Sequence, residues 1–516
     1  MDLFDVYSLS WQLFALLITL LAIFLYRHYT ILKRYGIPGP TPWPIIGNLH
    51  EQVYRGIHVT DEEWSKKYGK VFGYFNGYNP VIAVTDPDII KAVLIKDFQN
   101  FTDRPHNGNL PKLMLDGLFF MKGQTWKKTR NIITPTFSAG KLKNLVPIIN
   151  KCAETCINKL EKEIGKDVTV RSWFVCFTMD AIASTAFGIE IDSQKQHDDP
   201  FVRNLEKIFK LTQWKRIPIF LSAMIPPLGK WLYKIGITTW PTECVNFYND
   251  IGQALIDERR KNKMDRVDFI QMLMDADFDN TREGYIKNET TMSNGASSGH
   301  HVHNLERLTD DEIKGQAFVF FLAGFETTAS LLRYSAYILA FHPELDSQLY
   351  DEIQKYIGQD DPDYDSISDL KFMDQFIYEV LRFYPPVPRL TRKAHEEITV
   401  GGITIPKGTS IQIPVWNVHH SEENYPEPEA FKPDRFAQGK KGATEKITFL
   451  PFGTGPRNCI GMRLALVEAK IALVYMLRKI RFVKCEKTQN PPLNLRHFTL
   501  LSPKTPIQVR IEARLS

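Results

Sequence analysis

Cysteine is scarce and unpaired in this sequence: six thiols, at positions 152, 156, 176, 244, 459 and 485, and no Cys-x-x-Cys. That excludes a disulfide-built scaffold and suits a reduced compartment. Charge of one sign is also lacking, with 64 basic against 59 acidic residues and a net +5. No polyanion, nucleic acid included, is called for by such a balance. Internal repeats are absent, which excludes a solenoid. So are the glycine fingerprints of flavin or nicotinamide domains, so any electrons must arrive from outside. Apolar residues are not scarce, at 43%, and the 516 residues suffice for one large core or two to three ordinary domains. Cys152 and Cys156, four apart in KCAETCINK, read as packed thiols, since no histidine or further cysteine stands near to make a metal site.

The run Val6 to Tyr26 carries 21 residues without a charge. At about 1.5 Å per residue, a helix of this length crosses the roughly 30 Å bilayer core. The usual small-residue cleavage site is missing, which favours a retained anchor (residues 1–27) over a signal peptide. Arg27, Lys33 and Arg34 follow the span and keep the body cytosolic. Residues 28–48 read as a basic flank and hinge, with prolines at 38, 40, 42 and 44 forbidding helix. The remaining residues, 49–516, form the body. KVFGYFNG and NPVIAVTD suggest a small hairpin sheet, and helical patterns dominate thereafter, so the expected class is mainly α with small β-sheets. Residues 283–304 are polar and turn-rich, a surface loop in which His300, His301 and His303 are incidental. Trp214 to Pro241 mixes tryptophans, lysines and apolar runs. A shallow membrane contact, a lid over an apolar cavity and plain buried packing all fit it.

Thr309-x-x-Glu312 is a capping box, and the pattern behind it stays helical until His342-Pro343. That predicts a core helix of about thirty residues, well beyond the usual globular length. At its centre stands Ala323-Gly-Phe-Glu-Thr-Thr328. A mid-helix glycine costs about 1 kcal/mol against alanine and removes a side chain where room is needed. A carboxylate (Glu326) beside a hydroxyl (Thr327) on a distorted helix suits a proton relay; hydroxyls bonding back to the previous turn are the plainer reading.

Glu379 and Arg382 share a helical face among apolar residues, which predicts a buried pair, and Arg435 in FKPDRF offers a third member. Trp126 and Arg130, also on one face, present only donors and so suit an anionic acceptor. Near the C-terminus, Phe452-Gly-Thr-Gly-Pro-Arg-Asn-Cys-Ile-Gly461 surrounds one cysteine with three glycines, a proline and an arginine. A structural thiol needs none of these. A hydrolase nucleophile would need a histidine base, which the surroundings do not supply.

The spacing Phe452-x-x-Gly455-x-Arg457-x-Cys459-x-Gly461 resembles the haem-binding loop of the haem-thiolate monooxygenases, the cytochrome P-450 superfamily. The motifs AGFETT, Glu379/Arg382, FKPDRF, WKKTR and the proline-rich segment stand in that family's order, so the resemblance spans the chain. The detail is most similar to the animal microsomal branch that oxidises drugs and steroids. It implies the P-450 fold with a long central helix over haem b (iron protoporphyrin IX). It implies Cys459 as axial thiolate to the iron, a ligand that pushes electron density toward O–O cleavage and for which this superfamily is the standing example. Phe452 packs on the sulfur, Gly455 and Gly461 let the porphyrin approach, and Arg457, Trp126, Arg130, Arg392 and Arg104 bind the propionates. Thr327 and Glu326 pass protons to bound dioxygen. The implied partners are a small apolar substrate, O2 and an NADPH-dependent flavoprotein reductase at the endoplasmic reticulum membrane, docking near Lys127, Lys128, Lys440, Lys441 and Lys446. Two rivals share the fold: an isomerase or dehydratase that rearranges peroxides, and a non-catalytic haem sensor. The first usually disrupts the acid–alcohol pair, intact here, and the second has no signalling module attached.

Overall fold

The uncharged N-terminal run folds into one helix, α1 (Leu3–Tyr29), whose apolar side chains from Trp11 to Phe24 lie bare. It is long and apolar enough to cross a bilayer. The computed structural model describes residues 3–106, 109–189, 191, 193, 200–209, 218, 221–222, 224–238, 240–261, 268–275, 277–278, 306–437, 444–497 and 500–514. The 283–304 stretch with its histidines, and Lys440 and Lys441, lie outside these residues. Where a hinge was expected, the chain after α1 is fastened. His28 stacks on Tyr78 at 3.7 Å and bonds its carbonyl at 2.7 Å, and Leu32 and Ile37 are buried. Gly73 donates to the Pro38 carbonyl (2.7 Å), and Asn48 closes the segment by accepting from Phe75 N (3.0 Å).

That docking surface is the first sheet. Its strands β1 (Val71–Asn76), β2 (Asn79–Val84), β4 (Arg389–Lys393) and β5 (Ser410–Pro414) run in the order β1-β2-β5-β4. The hairpin is antiparallel, β2 pairs parallel with β5, and Arg392 of β4 sits opposite Ile411. A second sheet joins β3 (Asp167–Thr169), β6 (Ile480–Val483) and β7 (Gln508–Ala513) in the order β6-β7-β3.

The helices that build the site are α2 (Gly123–Ile133), α3 (Ala139–Leu160), α4 (Val170–Ile182), α5 (Thr242–Lys261), α6 (Asp310–Phe341), α7 (Lys371–Phe383) and α8 (Met462–Lys479). The central helix, α6, starts as its residues require: Thr309 accepts from Glu312 N, and Glu312 reaches back to Thr309 N at 2.9 Å. It ends before Pro343 after 32 residues. Phe318, Phe321, Phe325, Leu332, Tyr334 and Tyr337 bury most of its surface against α4, α5, α7 and α8. The helix is continuous, without the distortion expected at AGFETT. Gly324 is explained instead by α4: a Cβ there would lie 2.9 Å from Ile182 Cδ1. Of the greasy 214–241 stretch, Pro226–Lys234 is helical, with Leu232 buried and Trp231 bare, while Trp240 packs on Phe318 of α6. Outer exposure and inner packing are thus both present.

Candidate active site around Cys459

A tight loop presents Cys459 just ahead of α8. Gly453 donates to Leu450 O (3.0 Å), Asn458 to Gly455 O (2.9 Å) and Cys459 to Phe452 O (2.8 Å). Gly453 and Gly455 adopt φ of +65° and +74°, left-handed values that glycine reaches without strain. Gly455 answers to the protein itself: a Cβ would lie 2.0 Å from the Leu94 carbonyl, in the π-helical turn Ala92–Lys96. Gly461, the N-cap of α8, has an ordinary φ of −86° and no neighbour within 4 Å of an added Cβ. Phe452 is half-buried against the main core. The Cys459 side chain is exposed within its recess. Enclosure by protein pushes the thiol's pKa up, while the Gly461 N–H, Arg130, Arg104 and the Met462 N–H pull it down. Every counterweight favours thiolate, which suits a metal ligand.

Guanidinium groups gather around the same loop. Arg457 lies over the Trp126 ring at 4.2 Å and donates to the carbonyls of Met121 (2.6 Å), Leu118 (3.3 Å) and Phe119 (3.4 Å). Arg104 bonds Phe119 O at 2.9 Å and stacks on that ring at 4.0 Å. Arg130, on α2, holds Asn458 Oδ1 at 2.8 Å. Arg392, buried on β4, bonds Thr391 O at 2.8 Å. Burial and mutual repulsion push Arg104 and Arg457 down to about 9, still above neutral pH, so all four stay cationic. Among the described residues one carboxylate answers them: Asp103, 3.9 Å from Arg457, a residue the sequence reading missed. The Nε atoms of Arg392 and Arg457 are buried without an acceptor among the described residues.

On α6, Ala323 and Thr327 stand one turn apart as its more open mid-helix positions. The Thr327 hydroxyl bonds back to Ala323 O at 2.6 Å, the plainer of the two expected arrangements. Glu326 turns away: Arg171 of α4 grips it at 2.8 and 3.4 Å, and Arg333 stands 3.5 Å off. The acid and alcohol are neighbours in sequence but serve different faces.

Behind the loop, Glu379 and Arg382 are fully buried and pair through two bonds of 2.8 Å. Arg435 joins Glu379 at 3.3 Å, so all three expected members meet. His419 completes the network and carried no motif to flag it. Its Nε2 accepts from Leu450 N (2.9 Å), so Nδ1 bears the proton and donates to Arg382 O (3.1 Å). Burial holds its pKa well below the ordinary value, which keeps this neutral tautomer. The pair is thereby tied, through one imidazole, to the start of the Cys459 loop.

The donor set fits haem. Four cations against one carboxylate leave room for two propionates, and the orphaned Nε donors have matching valence. The family model described as Cytochrome P450 matches residues 37–511. The chain is 36% identical over 524 aligned residues to Cytochrome P450 3A12 of Canis lupus familiaris, covering 100% of this chain and 99% of the relative. It is 36% identical to Cytochrome P450 3A56 of Fundulus heteroclitus, with 98% of each covered, and 35% identical to Cytochrome P450 3A5 of Homo sapiens, with 98% of this chain and 97% of the relative covered. This chain belongs to the Cytochrome P450 family, whose members are haem-binding monooxygenases.

Proposed function

We propose that this protein is an anchored haem b monooxygenase of the endoplasmic reticulum membrane, its body in the cytosol. It inserts one atom of O2 into small apolar molecules (xenobiotics, steroids or lipids) with electrons from an NADPH-dependent flavoprotein reductase. The observation that carries this reading is an exposed thiol, Cys459, set among guanidiniums that outnumber the carboxylates beside them among the described residues. Haem, when bound, supplies dioxygen activation and oxygen insertion. The chain's own residues do the rest. Cys459 ligates the iron, and the α8 N–H groups favour its charged form. Arg104, Arg130, Arg392 and Arg457, with Trp126, hold the propionates. Thr327 holds a proton near the oxygen-binding face. Glu326 serves that face only after leaving Arg171, which makes it a reserve acid rather than a standing partner of Thr327. Lys127 and Lys446, both exposed, support reductase docking near the loop. Reduced protein with carbon monoxide is expected to show the red-shifted Soret band of sulfur-ligated iron, lost in Cys459→Ser. Turnover of a compound panel is expected only with reductase and NADPH. A nitrogen-ligated spectrum, or turnover without reductase, overturns the reading.

A further inference from the structure

A cavity of about 560 Å³ lies between the first sheet and the segment carrying Arg104, and neither Cys459, Ala323 nor Thr327 lines it. Its walls differ in character. Leu49, Val53, Ile57, Val81 and Ile411 make one side apolar; Lys122, Lys393, His106 and His395 make the other basic. Arg389, also on the wall, is neutralised by Asp61 at 2.8 and 2.9 Å. Of the three remaining cations, Arg104 belongs to the haem-side cluster, and the Asp103 carboxylate is shared with Arg457 and His395. Lys122 and Lys393 have no carboxylate partner among the described residues. Their field reaches inward: after burial, Lys122, Lys393 and Lys230 are what hold His106 below its ordinary pKa, against Asp103 alone. Val53, on the rim, is bare, as are Trp43, Ile45 and Ile46 on the segment leading from α1. This bare apolar surface follows α1 closely in sequence.

We propose that this cavity is a second binding site, for a single-chain amphiphile with an anionic head, its head on Lys122 and Lys393 and its chain along the Leu49–Ile57 wall. The volume suits a small organic ligand. A neutral alcohol of the same length gains the apolar wall but nothing from the lysines, whereas a fatty acid gains both. The test uses haem-loaded full-length protein in nanodiscs with dodecanoate carrying a terminal diazirine, and the matching dodecanol probe as control. Mass spectrometry is expected to place competable labelling within residues 49–57 or 408–412 for the acid and not for the alcohol. Reversing both lysines, Lys122→Glu with Lys393→Glu, removes two exposed attractions and installs two repulsions. It is expected to weaken competition by about tenfold. The reduced carbon monoxide spectrum stays as in wild type, because neither lysine touches Cys459, which separates loss of this site from failure of the haem reading. Should the reversal variant lose that spectrum, Lys122→Gln with Lys393→Gln carries the same expectation at smaller size. Labelling elsewhere, equal labelling by the alcohol, or affinity unmoved by both variants overturns the proposal.

Discussion

Glu468 sits on the core face of α8, 2% exposed, where burial pushes its carboxyl up to about 8 against a single opposing contact from the Thr328 hydroxyl. At neutral pH the native state therefore keeps a proton that the unfolded chain, titrating near 4.5, has released. Between about pH 4.5 and 8 the native state binds more protons than the unfolded state, so stability falls as pH rises through that window and levels off above it. The full difference is on the order of 5 kcal/mol. Glu468→Gln keeps the shape and cannot ionise. Its melting temperature is expected to fall less than that of wild type between pH 5 and 8.5. Equal slopes would show that Glu468 is charged in the fold. Glu326, also buried, is paired with two guanidiniums, Arg171 and Arg333. Sequence made Glu326 conspicuous because it adjoins Thr327, and left Glu468 silent because α8 reads as an ordinary apolar helix.

At the scale of elements, the loop and the π-helical turn fit through one missing side chain. Alanine at Gly455 meets both a left-handed φ of +74° and the Leu94 carbonyl at 2.0 Å, which is backbone and cannot swing aside. The left-handed conformation alone costs about 1–2 kcal/mol, and displacing the turn adds to it. Gly455→Ala is expected to lower the denaturation midpoint of the haem-free protein. Gly461→Ala should leave that midpoint unchanged, having no protein neighbour to displace, so any defect it shows must appear in haem loading alone. Denaturant titration beside haem absorbance distinguishes the two roles, and equal midpoints for both variants would refute the assignment of Gly455 to Leu94. The same contrast explains what could be read beforehand. The ends of α6 were legible because a capping box and a following proline act within one turn. That Gly324 makes room was legible, but not that Ile182 takes it, since Ile182 lies far away in sequence; nor was the link from Arg382 through His419 to Leu450, which depends on three segments converging.

For the whole molecule, the segment between the apolar helix α1 and the first sheet decides how the two are joined. Four prolines make the segment after α1 stiff, and stiffness alone is compatible with a tether. Packing says otherwise: Tyr29, Leu32 and Ile37 are buried against the first sheet, and Tyr35 bonds Glu397 at 2.6 Å. Burying each of these three apolar side chains stabilises the fold by about 1.5–3 kcal/mol, so together they contribute about 5 kcal/mol or more. Residues 28–37 therefore pack with the first sheet, and His28 is held there by its stack on Tyr78. A chain starting at residue 28 is expected to unfold close to the denaturant concentration of the full-length protein, because among the described residues it loses, Leu25 alone packs on the core, and only in part. A chain starting at residue 40 should unfold at a clearly lower concentration, with Phe75 and Ile82 newly exposed beneath the missing cover. Coincident unfolding of the two truncated chains would mean that residues 28–39 are a loose leash.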